Sequence, residues 1–173
     1  MIKIYTDGSC IKNPDGPGGF GVIAINNNDI VYLYSTRTNN TTNNREELKA
    51  IINAFEYAQQ DKNLEETFII YSDSAYCVNM INDWIYKWQR NGWRRAKNQP
   101  IENLDLVQII YKYITKDWFN CEVQKTSGHV GITENELADA LATGDFNKFM
   151  KTFEHSNLKW DSLDKNSNLE WRD

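Results

Sequence analysis

Four acidic residues lie where strands and helices of this sequence are predicted to begin or end. Asp7 and Asp73 each follow an apolar run typical of a strand, and Glu47 and Asp139 lie in segments with helical periodicity. Carboxylates from separate elements are the oxygen ligands that a hard cation such as Mg²⁺ prefers. A pair of such ions can activate a water molecule and stabilise a leaving oxygen. The four acids therefore predict a metal site.

Each of these acids, taken alone, has a simpler structural explanation. Asp7 precedes Gly8, and Asp-Gly is a common turn dipeptide. Asp73 precedes a helical segment and could be its N-cap. Because four such coincidences in one chain are a weaker explanation than one shared site, we favour the metal site.

The helix that carries Glu47 begins after a polar stretch. Asn43 suits its N-cap, and Glu46, three residues later, suits the reciprocal capping position. At about 100° per residue, Glu46 lies nearly opposite the apolar stripe, whereas Glu47 lies at its border, in line with Ile51. We therefore expect Glu46 to be solvated and Glu47 to point toward whatever the helix packs on.

The elements that must position the acids form an α/β pattern. The periodicity predicts strands over 2–7, 20–25, 30–36, 67–72 and 119–125, and helices after residue 44 and over 75–87, 103–115 and 133–142. A helix separates the fourth strand from the first hairpin, so we expect that strand to pair in parallel with a central strand. Both carboxyl ends, which carry Asp7 and Asp73, would then open on one edge of the sheet.

The chain of 173 residues has the size of one domain, which we place at residues 1–150, followed by a tail of unassigned role over 151–173. The net charge of −5 argues against a protein that coats nucleic acid nonspecifically. The segment 87–97, however, interleaves five cations with two tryptophans and contains no acid. That pattern suits a protruding element that binds nucleic acid, although a solvated loop would look similar.

The composition also bears on the compartment. Three widely spaced cysteines, Cys10, Cys77 and Cys121, fit reduced thiols better than a disulfide framework or a zinc site. No run approaches the roughly 18 apolar residues of a membrane span, and no secretory signal precedes the first strand. We expect a soluble, cytoplasmic, monomeric protein that does not associate with membranes.

Motifs over residues 2–143 resemble type 1, bacterial-like ribonuclease H in order and spacing. The matching motifs are Tyr-Thr-Asp-Gly-Ser around Asp7, Thr-Thr-Asn-Asn-Arg before Glu47, Ser-Asp-Ser around Asp73, Gly-His-Val-Gly at His129, and Glu-Asn-Glu with Ala-Asp leading to Asp139. The resemblance implies a five-stranded mixed sheet with elements in the order βββαβααβα. It also implies an Mg²⁺-dependent endonuclease, with Mn²⁺ as a substitute, that cuts the RNA strand of RNA/DNA hybrids and leaves 5′-phosphate and 3′-hydroxyl ends.

The resemblance implies a role for each matching residue. Asp7, Glu47, Asp73 and Asp139 would bind the metal ions, with Asp7 bridging them, and His129 would assist proton movement or product release. Glu136 would be an outer partner of the site. Three sets of residues would contact the hybrid. Asn13, Asn43 and Asn44 would face the RNA minor groove, and Thr42, Asn103 and Arg45 would form a pocket for a DNA phosphate. The basic protrusion that binds the DNA strand would consist of Trp84, Trp88, Trp93, Arg94, Arg95 and Lys97.

The chain departs from the family pattern in three places. The protrusion has fewer cations than the most basic members, Ala75 replaces a polar residue, and the loop after Asn13 is one residue longer. These departures predict weaker and more salt-sensitive hybrid binding without affecting catalysis. Because a fold does not fix a function, a noncatalytic hybrid-binding module and a DNA-acting nuclease of the same superfamily stay open as alternatives.

Overall fold

A five-stranded mixed sheet forms the centre of the protein in a computed structural model that describes residues 1–60, 63, 65–117, 119–126 and 132–173. The strands lie in the order β3-β2-β1-β4-β5. They span Ile2–Cys10 (β1), Gly16–Asn26 (β2), Asp29–Thr41 (β3), Phe68–Ser72 (β4) and Cys121–Lys125 (β5). The α/β class and the mixed sheet that the sequence predicts are confirmed.

The pairing of β1 decides where the site forms. β1 pairs in parallel with β4 from Ile2 opposite Phe68 to Thr6 opposite Ser72. Asp7 and Asp73 therefore immediately follow the last paired residues of two adjacent parallel strands. β1 does not end at Asp7, as the sequence predicts, because it continues to Cys10 against β2.

Helices cover both faces of the sheet. They span Asn43–Ala58 (α1), Ala75–Asn79 (α2), Ile85–Arg90 (α3), Leu104–Ile114 (α4), Thr133–Thr143 (α5) and Phe146–Glu154 (α6), with a π-helical turn at Met80–Trp84 between α2 and α3. No helix in the described ranges is long and apolar enough to cross a membrane.

Side chains along β2 alternate between two separate cores, as expected for a strand buried on both faces. Val22 and Ala24 belong to the core beneath α1. Ile23 and Ile25 belong to the core beneath α5 and α6. Glu47 in α1 and Asp139 in α5 therefore approach the same sheet from opposite faces.

The hairpin strands are longer than the sequence predicts. The turn-forming residues over 10–19 predict a loop, but half of this stretch is strand, because β1 continues to Cys10 and β2 begins at Gly16. β3 extends to Thr41 through the polar stretch that precedes the helix. Gly18 and Gly19 pair with β3, and an added Cβ at Gly19 would lie 2.2 Å from the Thr36 carbonyl oxygen. The glycines therefore permit close strand packing here rather than a turn.

The C-terminal tail packs along the outer edge of β3. The backbone N–H groups of Ile30 and Ser35 donate to the carbonyl oxygens of Lys159 and Asn168, at 2.6 and 2.7 Å. Residue 150, the predicted end of the domain, lies inside α6. The tail covers a strand edge that would otherwise present unpaired backbone groups.

Candidate active site

Three carboxylates converge at the carboxyl end of β4. Asp7, Glu47 and Asp73 each offer an oxygen, and the three oxygens lie within 4.8 Å of one another. Asp7 and Glu47 are 8% and 7% exposed, whereas Asp73 is exposed. The cluster therefore has a buried side in the sheet and an open side that a ligand can reach.

A neighbouring serine leaves Asp73 available to this cluster. Ser74, rather than Asp73, is the N-cap of α2, because its hydroxyl accepts a hydrogen bond from the Cys77 N–H at 3.2 Å. The explanation of Asp73 as a helix cap is therefore wrong. Nothing in the capping of α2 uses its carboxylate.

Gly8 allows α1 to approach the strand that carries Asp7. A Cβ at Gly8 would lie 2.2 Å from the backbone nitrogen of Glu47 and 2.5 Å from the carbonyl carbon of Glu46. The Gly8 backbone also forms a hydrogen bond to the Glu47 carboxylate. The Asp-Gly dipeptide suggested a turn, but Gly8 is required because its backbone packs closely against the first turn of α1.

We predict that Gly8→Ala destabilises the protein by about 1–3 kcal/mol, because the added methyl group must push α1 away from β1. It should also weaken divalent-cation binding, since Glu47 moves with α1. Urea denaturation and calorimetric Mg²⁺ titration measure the two effects. Gly92→Ala is the control, because a Cβ there meets nothing within 4 Å and only its φ of +64° adds strain. Equal effects of the two variants on Mg²⁺ binding would contradict the prediction.

Asp139 reaches the cluster from α5. Asp7 lies opposite Gly21 in the β1–β2 pairing, and a Cβ at Gly21 would lie 2.5 Å from the carbonyl oxygen of Ala138. The Asp139 carboxyl group is close enough to Asp7 to share a hydrogen bond when one of the two is protonated, and this interaction raises the pKa of Asp7. Its Oδ2 atom also forms an ion pair with the ammonium group of Lys148 on α6. The fourth predicted acid thus adjoins the cluster with a cation beside it.

Burial and mutual repulsion alter the acidity of the cluster. Burial raises the pKa of Asp7 well above its usual range, and the charges of Glu47, Asp73 and Asp139 raise it further. Burial, followed by the charge of Asp73, raises the pKa of Glu47 to about 8, although the hydrogen bond to Gly8 acts in the opposite direction. Like charges held this close favour protonation or a bound cation.

The donor set fits a hard divalent cation. All the converging atoms are carboxylate oxygens, and Mg²⁺ takes oxygen ligands at about 2.0–2.1 Å in octahedral geometry. Glu47 Oε2 is buried and has no hydrogen-bond partner among the described residues. A buried carboxylate oxygen without a donor is costly unless a cation binds it.

The expectation that Glu46 is solvated is wrong. Glu46 is fully buried, and its Oε1 atom accepts hydrogen bonds from the Thr41 hydroxyl at 2.6 Å and from Lys49 Nζ at 2.7 Å. The N-cap of α1 is Thr42, whose hydroxyl accepts from the Arg45 N–H, so the assignment of the cap to Asn43 is also wrong. Glu46 holds the end of β3 to the start of α1, beside Glu47.

Two further predicted site residues have different outcomes. His129 lies outside the described residues. Glu136 lies on α5 and lines a cavity of about 380 Å³ with Lys148 and His155. Sequence reasoning missed Lys148, because it lies in a different helix and nine residues beyond Asp139, where no spacing rule connects the two.

The residues predicted to contact the minor groove and a phosphate come together. They line a cavity of about 580 Å³ formed by Asn13, Pro14, Thr42, Asn43, Asn44, Glu102 and Asn103. Asn13 Oδ1 accepts a hydrogen bond from the backbone N–H of Asn43 at 3.0 Å, which joins the β1–β2 loop to α1. Amide and hydroxyl groups dominate this lining, so it can donate hydrogen bonds to an anion or to ribose hydroxyls.

Arg45 does not point freely into that cavity. Its guanidinium donates to both Asp105 carboxylate oxygens, at 3.1 and 2.8 Å, and to Asn103 Oδ1 at 3.2 Å. These bonds connect α1 to the start of α4. Much of the Arg45 charge is therefore offset by Asp105, a partner that the sequence did not indicate.

The basic protrusion is built on aromatic contacts. The ring of Trp84 lies 6.0 Å from that of Trp88, and Trp93 packs edge-on against Tyr111 at 5.2 Å. Arg95 Nε donates to the Pro100 carbonyl at 2.9 Å. The three cations predicted to contact nucleic acid are exposed: Arg94, Arg95 and Lys97. The aromatic residues therefore support the segment while its cations face outward.

Comparison with known proteins points to one family. The RNase H family profile matches residues 1–146. Ribonuclease H of Caldicellulosiruptor saccharolyticus is 39% identical over 142 residues, which cover 82% of this chain and 92% of that protein. Ribonuclease H of Orientia tsutsugamushi is 41% identical over 142 residues, covering 82% and 80%.

Solved structures agree with the sequence matches. LC9-RNase H1, a type 1 RNase H with the type 2 active-site motif, is 31% identical, with a TM-score of 0.67 over 82% of this chain and 69% of that one. The PFV RNase H domain is 26% identical, also with a TM-score of 0.67, over 82% and 92%. The likeness covers β1 to α5 and thus includes all four acids.

Proposed function

This chain belongs to the RNase H family, and from that premise we propose how it hydrolyses the RNA strand of RNA/DNA hybrids. The proposal is a hydrolysis that depends on two metal ions held by Asp7, Glu47, Asp73 and Asp139. The observation that carries it is the convergence of three carboxylate oxygens within 4.8 Å, with Asp139 close enough to Asp7 to share a hydrogen bond.

Each carboxylate has a defined part in this proposal. Asp7 interacts with Glu47, Asp73 and Asp139, which supports the proposal that it would contact both ions. The bound ions would supply activation of a water molecule for in-line attack and stabilisation of the leaving oxygen, the chemistry that yields 5′-phosphate and 3′-hydroxyl ends. Asp7 and Glu47, whose pKa values are raised in the free protein, would lose their protons on cation binding. Mn²⁺ has the same ligand preference and is expected to substitute.

Recognition of the hybrid is assigned to two separate surfaces. Asn13, Asn43 and Asn44 line the amide-rich cavity and would bind 2′-hydroxyl groups, the feature that distinguishes RNA from DNA. Thr42 and Asn103 in the same cavity would bind a phosphate of the DNA strand. The tryptophans and cations of the protrusion would bind that strand farther along.

Incubation of the protein with a labelled RNA/DNA hybrid, with and without Mg²⁺, tests the proposed function directly. Cleavage of the RNA strand only in the presence of Mg²⁺ is expected. DNA duplex and RNA duplex of the same sequence are the comparison substrates, and preferential cleavage of DNA duplex would favour the DNA-acting alternative. Hybrid binding without cleavage under any divalent ion would favour the noncatalytic alternative.

We predict that Arg94→Gln raises KM for the hybrid about three- to tenfold and leaves kcat within about twofold, because Arg94 is an exposed cation on the protrusion and the carboxylate cluster is formed by other residues. The slope of log KM against the logarithm of the salt concentration should become shallower by about the amount that one phosphate contact contributes. Lys112→Gln, which removes an exposed cation from α4, is the matched control. A change in kcat without a change in KM would show that Arg94 does not contribute to hybrid binding.

We also propose that the protein acts as a monomer in the cytoplasm. The three cysteines are free thiols, which supports a reducing compartment. The tail supports a monomer, because it covers the β3 edge that could otherwise pair with a second copy. Sedimentation analysis of the purified protein tests the oligomeric state.

A further inference from the structure

One face of α6 carries two cations, Lys148 and Lys151, beside the acidic cluster. They line the cavity of about 380 Å³ together with Thr133, Glu136, Thr152 and His155. Among the described residues of this lining, Glu136 is the only acid. Lys151 therefore brings positive charge to the cavity in addition to Lys148, which contacts Asp139. Almost all of α6 lies beyond residue 146, where the match to the family profile ends.

The helix holds these cations in fixed positions. Asp145 caps α6 by accepting a hydrogen bond from the Lys148 N–H at 2.9 Å. Phe149 is 1% exposed and anchors the next residue of the helix in the core beneath α5. His155 ends the helix, with Nδ1 2.7 Å from the Lys151 carbonyl oxygen. The cationic face is thus built on a packed helix rather than on a loose tail.

Lys148 pairs with a residue assigned to the metal. Its ammonium contacts Asp139 Oδ2, and the two side chains are 41% and 40% exposed. Ion pairs this exposed contribute little to stability, so stabilising the fold is a poor explanation for the contact. A cation bound at Asp139 would compete with Lys148 for the same carboxylate, and a displaced ammonium would stay beside the site where the substrate phosphates arrive.

We propose that the α6 face binds the RNA-strand phosphate next to the scissile phosphate. When a divalent cation binds Asp139, Lys148 leaves that carboxylate and contacts this neighbouring phosphate instead. The inference rests on the proposed function, because it takes Asp139 as a metal ligand. The strand is assigned by position, since Asp139 adjoins the carboxylates that act on the RNA. Lys151 adds charge to the same phosphate site without competing for the metal.

The exchange predicts opposite effects of one substitution. Lys148→Met removes the competitor for Asp139, so the Kd for Mg²⁺ in the absence of substrate should fall about two- to fivefold. The same variant loses a phosphate contact, so KM for the hybrid should rise about three- to tenfold, with a shallower salt dependence. Lys151→Ala should raise KM but leave the Mg²⁺ affinity unchanged, because it makes no ion pair with Asp139.

Calorimetric Mg²⁺ titration and steady-state kinetics at several salt concentrations test both effects, with Lys112→Met as the matched control. Thermal melting verifies that each variant folds. If Lys148→Met changes neither the Mg²⁺ affinity nor KM relative to the control, the proposal is overturned. If the unaltered protein cleaves no hybrid, the proposed function is wrong, and the proposed phosphate contact, which depends on it, is wrong as well. In that case the Mg²⁺ titration still shows whether Lys148 competes with cations for Asp139.

Discussion

Asp7→Asn is expected to lower kcat for hybrid cleavage by at least about 1,000-fold while hybrid affinity stays within a few-fold of the unaltered protein. A thousandfold loss corresponds to about 4 kcal/mol of transition-state stabilisation, a magnitude typical of losing a ligand that positions a catalytic ion. Binding should survive because the amide-rich cavity and the protrusion are formed by other residues. Gel-based cleavage assays and fluorescence anisotropy with the same hybrid measure the two quantities.

The same variant should be more stable than the unaltered protein in the absence of metal at neutral pH. Asp7 is buried beside three other acids, and an amide of the same shape removes the repulsion. Asp161→Asn, an exposed change in the tail, is the control for loss of one negative charge. Loss of both cleavage and binding, together with a lower melting temperature, would instead make Asp7 a structural residue.

The convergence of the acids could be predicted because it follows from chain order. A parallel pair of strands places consecutive carboxyl ends on one edge, so Asp7 and Asp73 had to be neighbours once β4 was placed beside β1. Periodicity along α1 was enough to orient Glu47 toward the sheet. These are local patterns with few structural solutions.

Glu46 shows why other parts of the site could not be predicted. A helical wheel describes α1 alone, whereas the environment of Glu46 is formed by Thr41 at the end of β3 and by Lys49. β3 was predicted five residues too short, so its end was not expected to be there. The Lys148–Asp139 pair has the same origin, since it depends on how α6 packs against α5.

The tail shows a different limit. Its contacts with β3 combine backbone hydrogen bonds, such as that from Ser35 N–H to the Asn168 carbonyl, with side-chain bonds, such as those that Glu170 Oε2 accepts from the Thr36 hydroxyl and the Arg37 N–H. These contacts leave no periodic pattern in the tail sequence. Its tryptophans pack on α6 instead, with Trp160 stacked on Phe153 at 4.2 Å. Isolated aromatic residues in a polar segment indicate packing but not the surface on which they pack.

The pH dependence of stability is the second large effect expected from the carboxylate cluster. The folded-state pKa values of Asp7 and Glu47 are raised above those of the unfolded chain, so the folded protein holds protons that the unfolded chain has lost. Stability from this source is therefore greatest below about pH 4 and is lost as the pH rises toward the folded pKa, about 8 for Glu47. Metal-free protein should become less stable between about pH 5 and pH 8.

The size of this loss is expected to be about 3–5 kcal/mol, because each unit of pKa displacement corresponds to about 1.4 kcal/mol. For a chain of this length, that lowers Tm by about 10 °C. Asp105, whose pKa is lowered by Arg45, contributes stability that is lost only as the pH falls through the acidic range, so it does not offset this loss between about pH 5 and pH 8. Thermal melts in EDTA across this pH range measure the net effect.

Two controls assign the pH effect to the cluster. Saturating Mg²⁺ should largely abolish the loss, since a bound cation stabilises the charged carboxylates and lowers their pKa values. Asp7→Asn combined with Glu47→Gln should abolish it without metal. A metal-free Tm that stays constant or rises from about pH 5 to pH 8 would show that the cluster does not hold protons at neutral pH, and the electrostatic reason for cation binding would then fail with it.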